Sequence, residues 1–388
     1  MEKMAEMTSR ERVIAAVNHQ EPDRVPLDIG GGLSTTLVVE GYENLKKHFG
    51  IESETKMLSK IYRMARLDEA VMEKLGSDVR PLQPSPPANW TPPPSESGTF
   101  IDIWGVKFKA VYYSETAFYY EVDEPPLKDA DVEDIEKYPW PDPLDPGYTA
   151  GLKDRAKELY DDTDYTIMAD SGFKALWEEA YQLRGFEQLL TDLIMNPKFV
   201  TALLEKILEI NIKATGRFLD AAGSYIQVFR TADDMATQDG LLMSPKTYRE
   251  LIKPIYKKWY DFIKSKTDAK IFYHSDGNVV ALLDDFIENG VDLLNPVQVS
   301  AIGDVEAMKR DFGDRLAFWG GIDTQKVMPY GSPEEVGNEV RQRIHELGQG
   351  GGYVLSSVHA IQPDVPPENI VAMAEACRKF GRYPLDSD

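Results

Sequence analysis

Short apolar runs alternate with longer amphipathic segments along most of the chain. The apolar runs begin near positions 25, 78, 165, 225, 270, 291, 316 and 353. Each is followed by a segment with apolar residues at helical spacing, as in Tyr248–Phe262. A short apolar run bounded by turn residues predicts a buried strand, and a repeated strand-then-helix order predicts parallel strands. Eight such units predict an α/β protein with one (β/α)8 TIM barrel over residues 1–388.

Helix start signals agree with this order. Thr8 and Glu11 have the spacing of a capping box, which predicts an N-terminal helical extension before the first strand. Ser332-Pro333 places a cap residue before a proline at the first helical position. Further helices are predicted near Val39–Phe49 and over Ser59–Leu75.

The regular order is interrupted between residues 84 and 146. Pro84–Pro94 and Pro125–Pro146 are rich in proline, which disrupts regular structure. Between them, Thr99–Val122 alternates with aromatic residues, which predicts a β-hairpin or a small sheet. We interpret residues 84–146 as an insertion within the barrel. Its aromatic side chains would pack on one another or, if the insertion is a lid, on a substrate.

Composition narrows the functional classes. The 388 residues carry a net charge of -22 without a basic cluster, which argues against nucleic-acid binding. Cys377 is the single cysteine, so disulfide frameworks and all-thiolate zinc sites are excluded, and it is expected to be a packed structural thiol. No apolar run has the length of a membrane span. We expect a cytoplasmic protein that does not bind a membrane, and we leave its oligomeric state open.

Polar residues follow several of the predicted strands and would meet at one mouth of the barrel. His274 and Asp276 follow the fifth strand and His359 follows the eighth. Two imidazoles and one carboxylate can bind zinc and leave a fourth position open. The alternative is that both histidines only form hydrogen bonds within a polar mouth. The other candidates after strands are Arg230, Asp233, Asp234, Gln238, Asn278, Asn295, Gln298, Asp323, Gln325 and Gln362.

Short motifs extend over nearly the whole chain outside the insertion. They are Glu21-Pro22-Asp23-Arg24-Val25-Pro26, Asp239–Pro245, His274-Ser275-Asp276-Gly277, Asn295-Pro296-Val297-Gln298, Trp319–Gln325 and Ile361–Asn369. Together they resemble the uroporphyrinogen decarboxylase superfamily. The resemblance implies a (β/α)8 barrel, in agreement with the strand count.

The N-terminal region departs from the decarboxylase branch of that superfamily. Those enzymes use no metal and hold a carboxylate-rich tetrapyrrole with an arginine-rich motif. Leu27–Gly32 stands at the matching place and has no arginine. Asp28 and an acidic protein would repel a substrate with many carboxylates. The glycines Gly30-Gly31-Gly32 lack a phosphate-binding pattern, and we interpret them as a site of close backbone approach.

The second branch contains zinc-dependent methyltransferases that work with corrinoid proteins. Its motif is His-x-Cys after strand five, followed by a Cys after strand eight. His274 matches the histidine, whereas Asp276 and His359 stand at the two thiolate positions. The resemblance therefore implies zinc bound by His274, Asp276 and His359, and a corrinoid (cobalamin) carried by a partner protein. Nitrogen and oxygen ligands make zinc a stronger Lewis acid than thiolates do, which favours an oxygen-bound methyl group.

These features predict a zinc-dependent methyltransferase that demethylates a small methylated oxygen compound, expected to be an aryl methyl ether, and passes the methyl group to a corrinoid protein. Asp234 or Asp239 would be a fourth ligand or a proton donor. The expected substrate-binding residues are Asn278, Gln298, Asp323 and Gln325.

Two other hypotheses stay open at this point. One is a metal-free decarboxylase of a small acid, in which Asp234 or Asp28 is the acid–base group and Arg230 holds a carboxylate. The other is a non-catalytic barrel that binds a tetrapyrrole or a corrinoid protein as a scaffold.

Overall fold

The computed structural model describes residues 6–91, 98–112, 118–173 and 175–385. The strands are β1 (Lys56–Ser59), β2 (Met64–Arg66), β3 (Val79–Leu82), β4 (Thr99–Ile101), β5 (Lys107–Tyr112), β6 (Phe118–Glu124), β7 (Thr166–Ala169), β8 (Val228–Ala232), β9 (Lys270–His274), β10 (Leu293–Asn295), β11 (Ala317–Ile322) and β12 (Tyr353–Ser357).

The helices flank the strands in chain order. They are α1 (Ser9–Val17), α2 (Val39–Phe49), α3 (Glu69–Leu75), α4 (Val132–Lys137), α5 (Leu152–Asp162), α6 (Trp177–Arg184), α7 (Phe186–Met195), α8 (Pro197–Ala222), α9 (Pro245–Thr247), α10 (Lys253–Lys264), α11 (Leu283–Asn289), α12 (Val299–Ile302), α13 (Val305–Phe312), α14 (Val327–Tyr330), α15 (Pro333–Gly348) and α16 (Pro367–Phe380). A π-helical turn at Tyr248–Ile252 joins α9 to α10.

A parallel sheet forms the centre of the molecule, with the strand order β3-β7-β8-β9-β10-β11-β12. The segment around Leu27 connects its two edges. Leu27 pairs in parallel with Leu355 of β12, and the Asp78 N–H donates a hydrogen bond of 2.8 Å to the Leu27 carbonyl. The predicted first strand therefore closes the sheet, although it is reduced to an isolated bridge. The predicted (β/α)8 barrel is confirmed.

Apolar side chains from the strands fill the inside of the barrel, as expected for this fold. Phe272 packs edge-on against Trp319, with ring centroids 5.4 Å apart. Val13, Ala16 and Val17 of α1 belong to the same buried cluster, so α1 covers the end of the barrel opposite the mouth. The capping box predicted at Thr8 and Glu11 is present at the start of α1.

Close packing explains the glycines after the first strand. A Cβ atom on Gly31 would lie 2.4 Å from Oδ1 of Asp28 and 2.5 Å from a methyl group of Val79. No larger residue fits there without a shift of its neighbours, which confirms the interpretation as a close approach. Cys377 is buried in α16, as predicted, and burial raises the pKa of its thiol to about 12.

The aromatic-rich part of the expected insertion is a three-stranded antiparallel sheet of β4, β5 and β6. The Phe100 ring stacks on Phe108 with a centroid distance of 5.3 Å, and Tyr120 packs on Phe100 edge-on. The predicted alternation thus matches a small sheet. The parts of the expected insertion at residues 92–97 and 113–117 lie outside the described residues.

The helix predicted over Ser59–Leu75 is wrong in its first half. Residues 56–66 form the antiparallel pair β1–β2, and α3 begins only at Glu69. Pairing with the segment before α2 decides the conformation, because the Ala65 N–H bonds to the Leu37 carbonyl and Met64 pairs with Val38. Such long-range pairing overrides the local helical spacing. Over the described residues, none of the helices is long and apolar enough to span a bilayer.

Candidate metal centre

His274, Asp276 and His359 lie together at the mouth of the barrel. One ligand atom from each lies within 4.8 Å of the others. Asp276 Oδ2 is 3.7 Å from His274 Nε2 and 3.8 Å from His359 Nε2. Zinc ligands at about 2.1 Å in a tetrahedron are about 3.4 Å apart, so small side-chain movements would bring these atoms into ligand positions.

The backbone places these three side chains. His274 is the last residue of β9, and His359 follows the end of β12 by two residues. Between His274 and the next helix, the chain turns at Gly277 with a φ of +85°. A Cβ on Gly277 would lie 2.4 Å from the Thr237 carbonyl oxygen, so this turn requires glycine.

Asn295 determines which nitrogen of His274 is available. The Asn295 Nδ2 group donates to the Trp319 carbonyl at 2.9 Å. Its Oδ1 atom therefore faces Nδ1 of His274, at 2.5 Å. The amide oxygen can only accept, so Nδ1 carries the proton and the Nε2 lone pair faces Asp276. Burial lowers the pKa of His274, which keeps the imidazole neutral as metal binding requires.

The carboxylate of Asp276 has unused acceptor capacity. Its Oδ1 atom is buried and has no hydrogen-bond partner among the described residues. The Asp276 N–H donates to Oδ1 of Asp234 at 2.8 Å, which fixes the backbone of the loop. A buried oxygen without a partner, beside two imidazoles, fits a divalent cation that prefers nitrogen and oxygen ligands.

The two predicted catalytic aspartates have different surroundings. Asp234 adjoins the metal cluster; its side chain is exposed to solvent on one side, like that of Asp239, but desolvation of the carboxylate, followed by the charge of Asp276, raises its pKa. Asp239 is exposed and lies on the wall of a polar cavity. Asp234 is thus near enough to act with the cluster through Asp276, whereas Asp239 lies at the solvent side.

A polar cavity of about 720 Å³ opens beside Asp276 and His359. Three of the predicted substrate residues contribute to its wall: Gln298, Asp323 and Gln325. Asn278 does not belong to this wall. Its amide donates to the Ala301 carbonyl and its oxygen accepts from the Val280 N–H, so it stabilises the loop instead.

A second cavity, of about 700 Å³, opens on His359 and has an aromatic and aliphatic wall. Its aromatic lining comes largely from β5, β6 and α6: Phe108, Phe118, Tyr119, Tyr120 and Tyr181. His359 and Gln362 line both cavities. The metal cluster thus lies at the junction between an apolar and a polar cavity.

Sequence reasoning missed Glu178, which lines the aromatic cavity. It lies in the first turn of α6, where an acidic residue is ordinary, so the sequence contains no distinguishing signal. Asp233 holds this turn in place by accepting the Leu176 and Glu178 N–H groups at 2.7 and 2.5 Å. Only the structure distinguishes Glu178 from other acidic residues: its carboxyl group is buried near other carboxylates, which raises its pKa well above the usual value.

Two groups from the decarboxylase hypothesis lie away from both cavities. The sequence predicts a fourth strand that begins near residue 225 and places Arg230 after it. In the structure, Tyr225 belongs to the turn that ends α8, so β8 starts at Val228 and includes Arg230. Arg230 is buried and bonds to Ser34 Oγ. Asp28 is fully buried and accepts from Trp319 Nε1 at 3.0 Å, and burial raises its pKa to about 6.

Comparison with known proteins identifies the relatives of this chain. Residues 114–380 match the family "Uroporphyrinogen decarboxylase (URO-D)", more than half of the chain. The chain belongs to the URO-D family.

This URO-D family member is similar to curated enzymes over part of its length. It is 28% identical over 206 residues to uroporphyrinogen decarboxylase of Serratia proteamaculans, covering 52% of the chain and 54% of that protein. It is 26% identical over 196 residues to the Coxiella burnetii enzyme, covering 48% of the chain and 49% of that protein. The chain spans about half the length of the curated relatives it matches.

A solved structure is similar over almost the whole chain. It is a methyltransferase from Methanosarcina mazei, with a TM-score of 0.67 and 21% identity, covering 97% of this chain and 99% of that one. At this identity the likeness establishes a shared barrel fold.

Proposed function

We propose that this URO-D family member is a zinc-dependent methyltransferase that removes a methyl group from oxygen in a small compound, such as an aryl methyl ether, and transfers it to a corrinoid protein. The observation that carries the proposal is the cluster of His274, Asp276 and His359, whose ligand atoms lie within 4.8 Å of one another. The cluster lies at the ends of parallel strands, where barrel enzymes have their active sites.

The residues present select the kind of chemistry. Bound zinc would supply a Lewis acid that withdraws charge from an ether oxygen. His274 is already oriented by Asn295 for binding through Nε2. The donor set contains no thiolate, since Cys377 is the only cysteine and lies buried in α16. Hard nitrogen and oxygen ligands favour an oxygen-bound methyl group over a sulfur-bound one.

The two cavities suit the two reactants of a transfer reaction. A methylated aromatic compound fits the apolar wall of the first cavity, which His359 also lines. The polar cavity is lined by Asp276, Gln298 and Asp323 and suits the approach of a polar acceptor group carried on a partner protein. Methyl transfer by displacement needs donor and acceptor to meet at one carbon, and His359 is shared by both cavities.

A metal-free decarboxylase is supported less well. It would need a cation to hold the carboxylate of its substrate. Arg230 belongs to neither cavity wall and donates hydrogen bonds to Ser34 Oγ. Asp28 is buried in the barrel.

Metal analysis tests the proposal. Protein purified under zinc-replete conditions is expected to contain about one zinc per chain, and His359→Ala is expected to lose most of it. His345→Ala is the matched control, because His345 is exposed near the end of α15. Metal-free wild-type protein that still acts on its substrate, or a His359→Ala variant with full zinc, would refute the proposal.

A further inference from the structure

The aromatic cavity contains a carboxyl group in an unusual setting. Oε1 of Glu178 accepts hydrogen bonds from the Tyr62 hydroxyl and from Nε2 of Gln182, the latter at 3.0 Å. Its other oxygen, Oε2, makes no hydrogen bond with the described residues. Glu178 keeps part of its surface open, and it lines the aromatic cavity.

The surroundings of Glu178 favour its neutral form. Burial is the main cause of its raised pKa, followed by the carboxylates of Glu179, Asp233 and Asp234, while Arg230 acts in the opposite direction. Because Oε1 is already an acceptor of two hydrogen bonds, the proton belongs on Oε2. Glu178 therefore presents an O–H donor to the cavity, next to an apolar wall.

A cation of the cavity wall, Arg63, occupies the face of an aromatic ring, and Lys60, which does not line the cavity, occupies two more ring faces nearby. The Arg63 guanidinium lies 3.9 Å from the centroid of the Phe118 ring. The Lys60 ammonium lies 5.1 Å from the Phe100 centroid and 5.8 Å from the Tyr120 centroid. Arg63 and Phe118 both line the cavity, so a cationic ligand at the Phe118 face would be repelled by Arg63. This part of the wall favours an uncharged ligand.

We infer that the aromatic cavity binds a flat, uncharged methoxyarene and that Oε2–H of Glu178 donates a hydrogen bond to an oxygen of that ligand. This inference rests on the proposed function for the oxygen-bound methyl group, and it adds the place, the charge and the positioning residue of the donor. Arg63 on the cavity wall is expected to disfavour a methylated ammonium compound. Glu178 would position the donor oxygen within the cavity that His359 also lines.

Calorimetric titration with 2-methoxyphenol tests the inference in the full chain. Glu178→Ala is expected to weaken binding about 10-fold, because the variant loses one hydrogen bond to the ligand. A 10-fold change in affinity corresponds to about 1.4 kcal/mol of binding free energy. Glu178→Gln is expected to stay within about 3-fold of the wild type, since its amide N–H can replace the O–H. Glu124→Gln, an exposed carboxylate on the same strand as Tyr120, is the matched control.

Phenyltrimethylammonium, the cationic probe of similar size, is expected to bind at least about 10-fold more weakly than 2-methoxyphenol. Equal or tighter binding of the cation would overturn the inference, as would Glu178→Ala with unchanged affinity and a native melting temperature. All titrations are repeated on chelator-treated protein. If 2-methoxyphenol binding depends on Glu178 but the protein takes up no zinc, the inference is supported and the proposed function is refuted. If the protein takes up zinc but does not bind the methoxyarene, the proposed function is supported and the inference is refuted.

Discussion

Asn295 is the residue on which the orientation of the candidate metal ligands depends most. It connects the Trp319 carbonyl to Nδ1 of His274 and thereby decides the tautomer of the imidazole. Groups that orient a metal-binding histidine in this way contribute strongly to metal affinity. The contribution of Asn295 is indirect, so its removal should weaken zinc binding without removing a ligand.

Asn295→Ala is expected to lower zinc affinity about 10- to 100-fold, because His274 loses its fixed tautomer and orientation. Competition with a chromophoric zinc chelator measures the change. Asn289→Ala is the control, since Asn289 is also a buried asparagine that bonds to a carbonyl, that of Lys253, but lies in α11. Equal zinc affinity in Asn295→Ala and in this control would contradict the assigned role.

The grouping of His274, Asp276 and His359 was predictable from the sequence, but the contacts of the candidate site residues were not. His274 and Asp276 follow an apolar run, and a residue after a parallel strand lies at the mouth whatever the details of packing. Asn278 occupies a similar sequence position, yet its amide bonds to the Ala301 carbonyl and faces away from the cavities. The direction of a side chain on a loop depends on local hydrogen bonds that spacing does not encode. Glu178 was not predictable because its properties come from burial.

At the level of elements, helix α15 is linked to the loop after β11 through Glu339. Oε1 of Glu339 accepts the Asp323 N–H at 3.1 Å, while Oε2 is buried and has no hydrogen-bond partner among the described residues. Burial is the main cause that raises the pKa of Glu339 to about 7 from 4.5. The folded protein thus binds a proton on Glu339 that the unfolded chain releases at lower pH.

Glu339→Gln is expected to remove this pH dependence. In the wild type, the stabilisation from the bound proton is complete below pH 4.5 and is lost as the pH rises through about 7. The glutamine amide oxygen can still accept the Asp323 N–H. Because the amide does not ionise, the variant does not lose this stability as the pH rises. Melting temperatures of variant and wild type should therefore agree near pH 4.5, and the variant should be the more stable at pH 8. A constant difference across this range would contradict the assignment.

Helix starts were more predictable than the two-stranded sheet of β1 and β2. The capping box at Ser332 and Glu335 is present at the start of α15, because its hydrogen bonds are local in sequence. The pair β1–β2 was not predicted, since it depends on contacts with residues before α2. A strand whose partners lie elsewhere in the chain cannot be separated from a helix by periodicity alone.

For the whole molecule, strand order predicted the barrel, because alternating strands and helices leave few other arrangements. The aromatic cavity was not predictable. Its wall combines β5, β6 and α6 with His359 from the far end of the chain, and no sequence pattern relates these segments.

The separation of the ligands along the barrel gives a prediction about the whole fold. His274 ends β9 and His359 follows β12, with β10 and β11 between them in the sheet. Zinc that binds all three ligands connects loops that only the native state brings together, so it binds the folded chain and stabilises it by mass action, by about 2.7 kcal/mol at 100 times the dissociation constant. Zinc should therefore raise the melting temperature of chelator-treated protein by a few degrees in a concentration-dependent way.

Magnesium, which prefers six oxygen ligands, should have little effect on the melting temperature. His359→Ala should abolish the zinc response, while His345→Ala should keep it. A zinc response of equal size in both variants would mean that the metal binds elsewhere than at the mouth of the barrel.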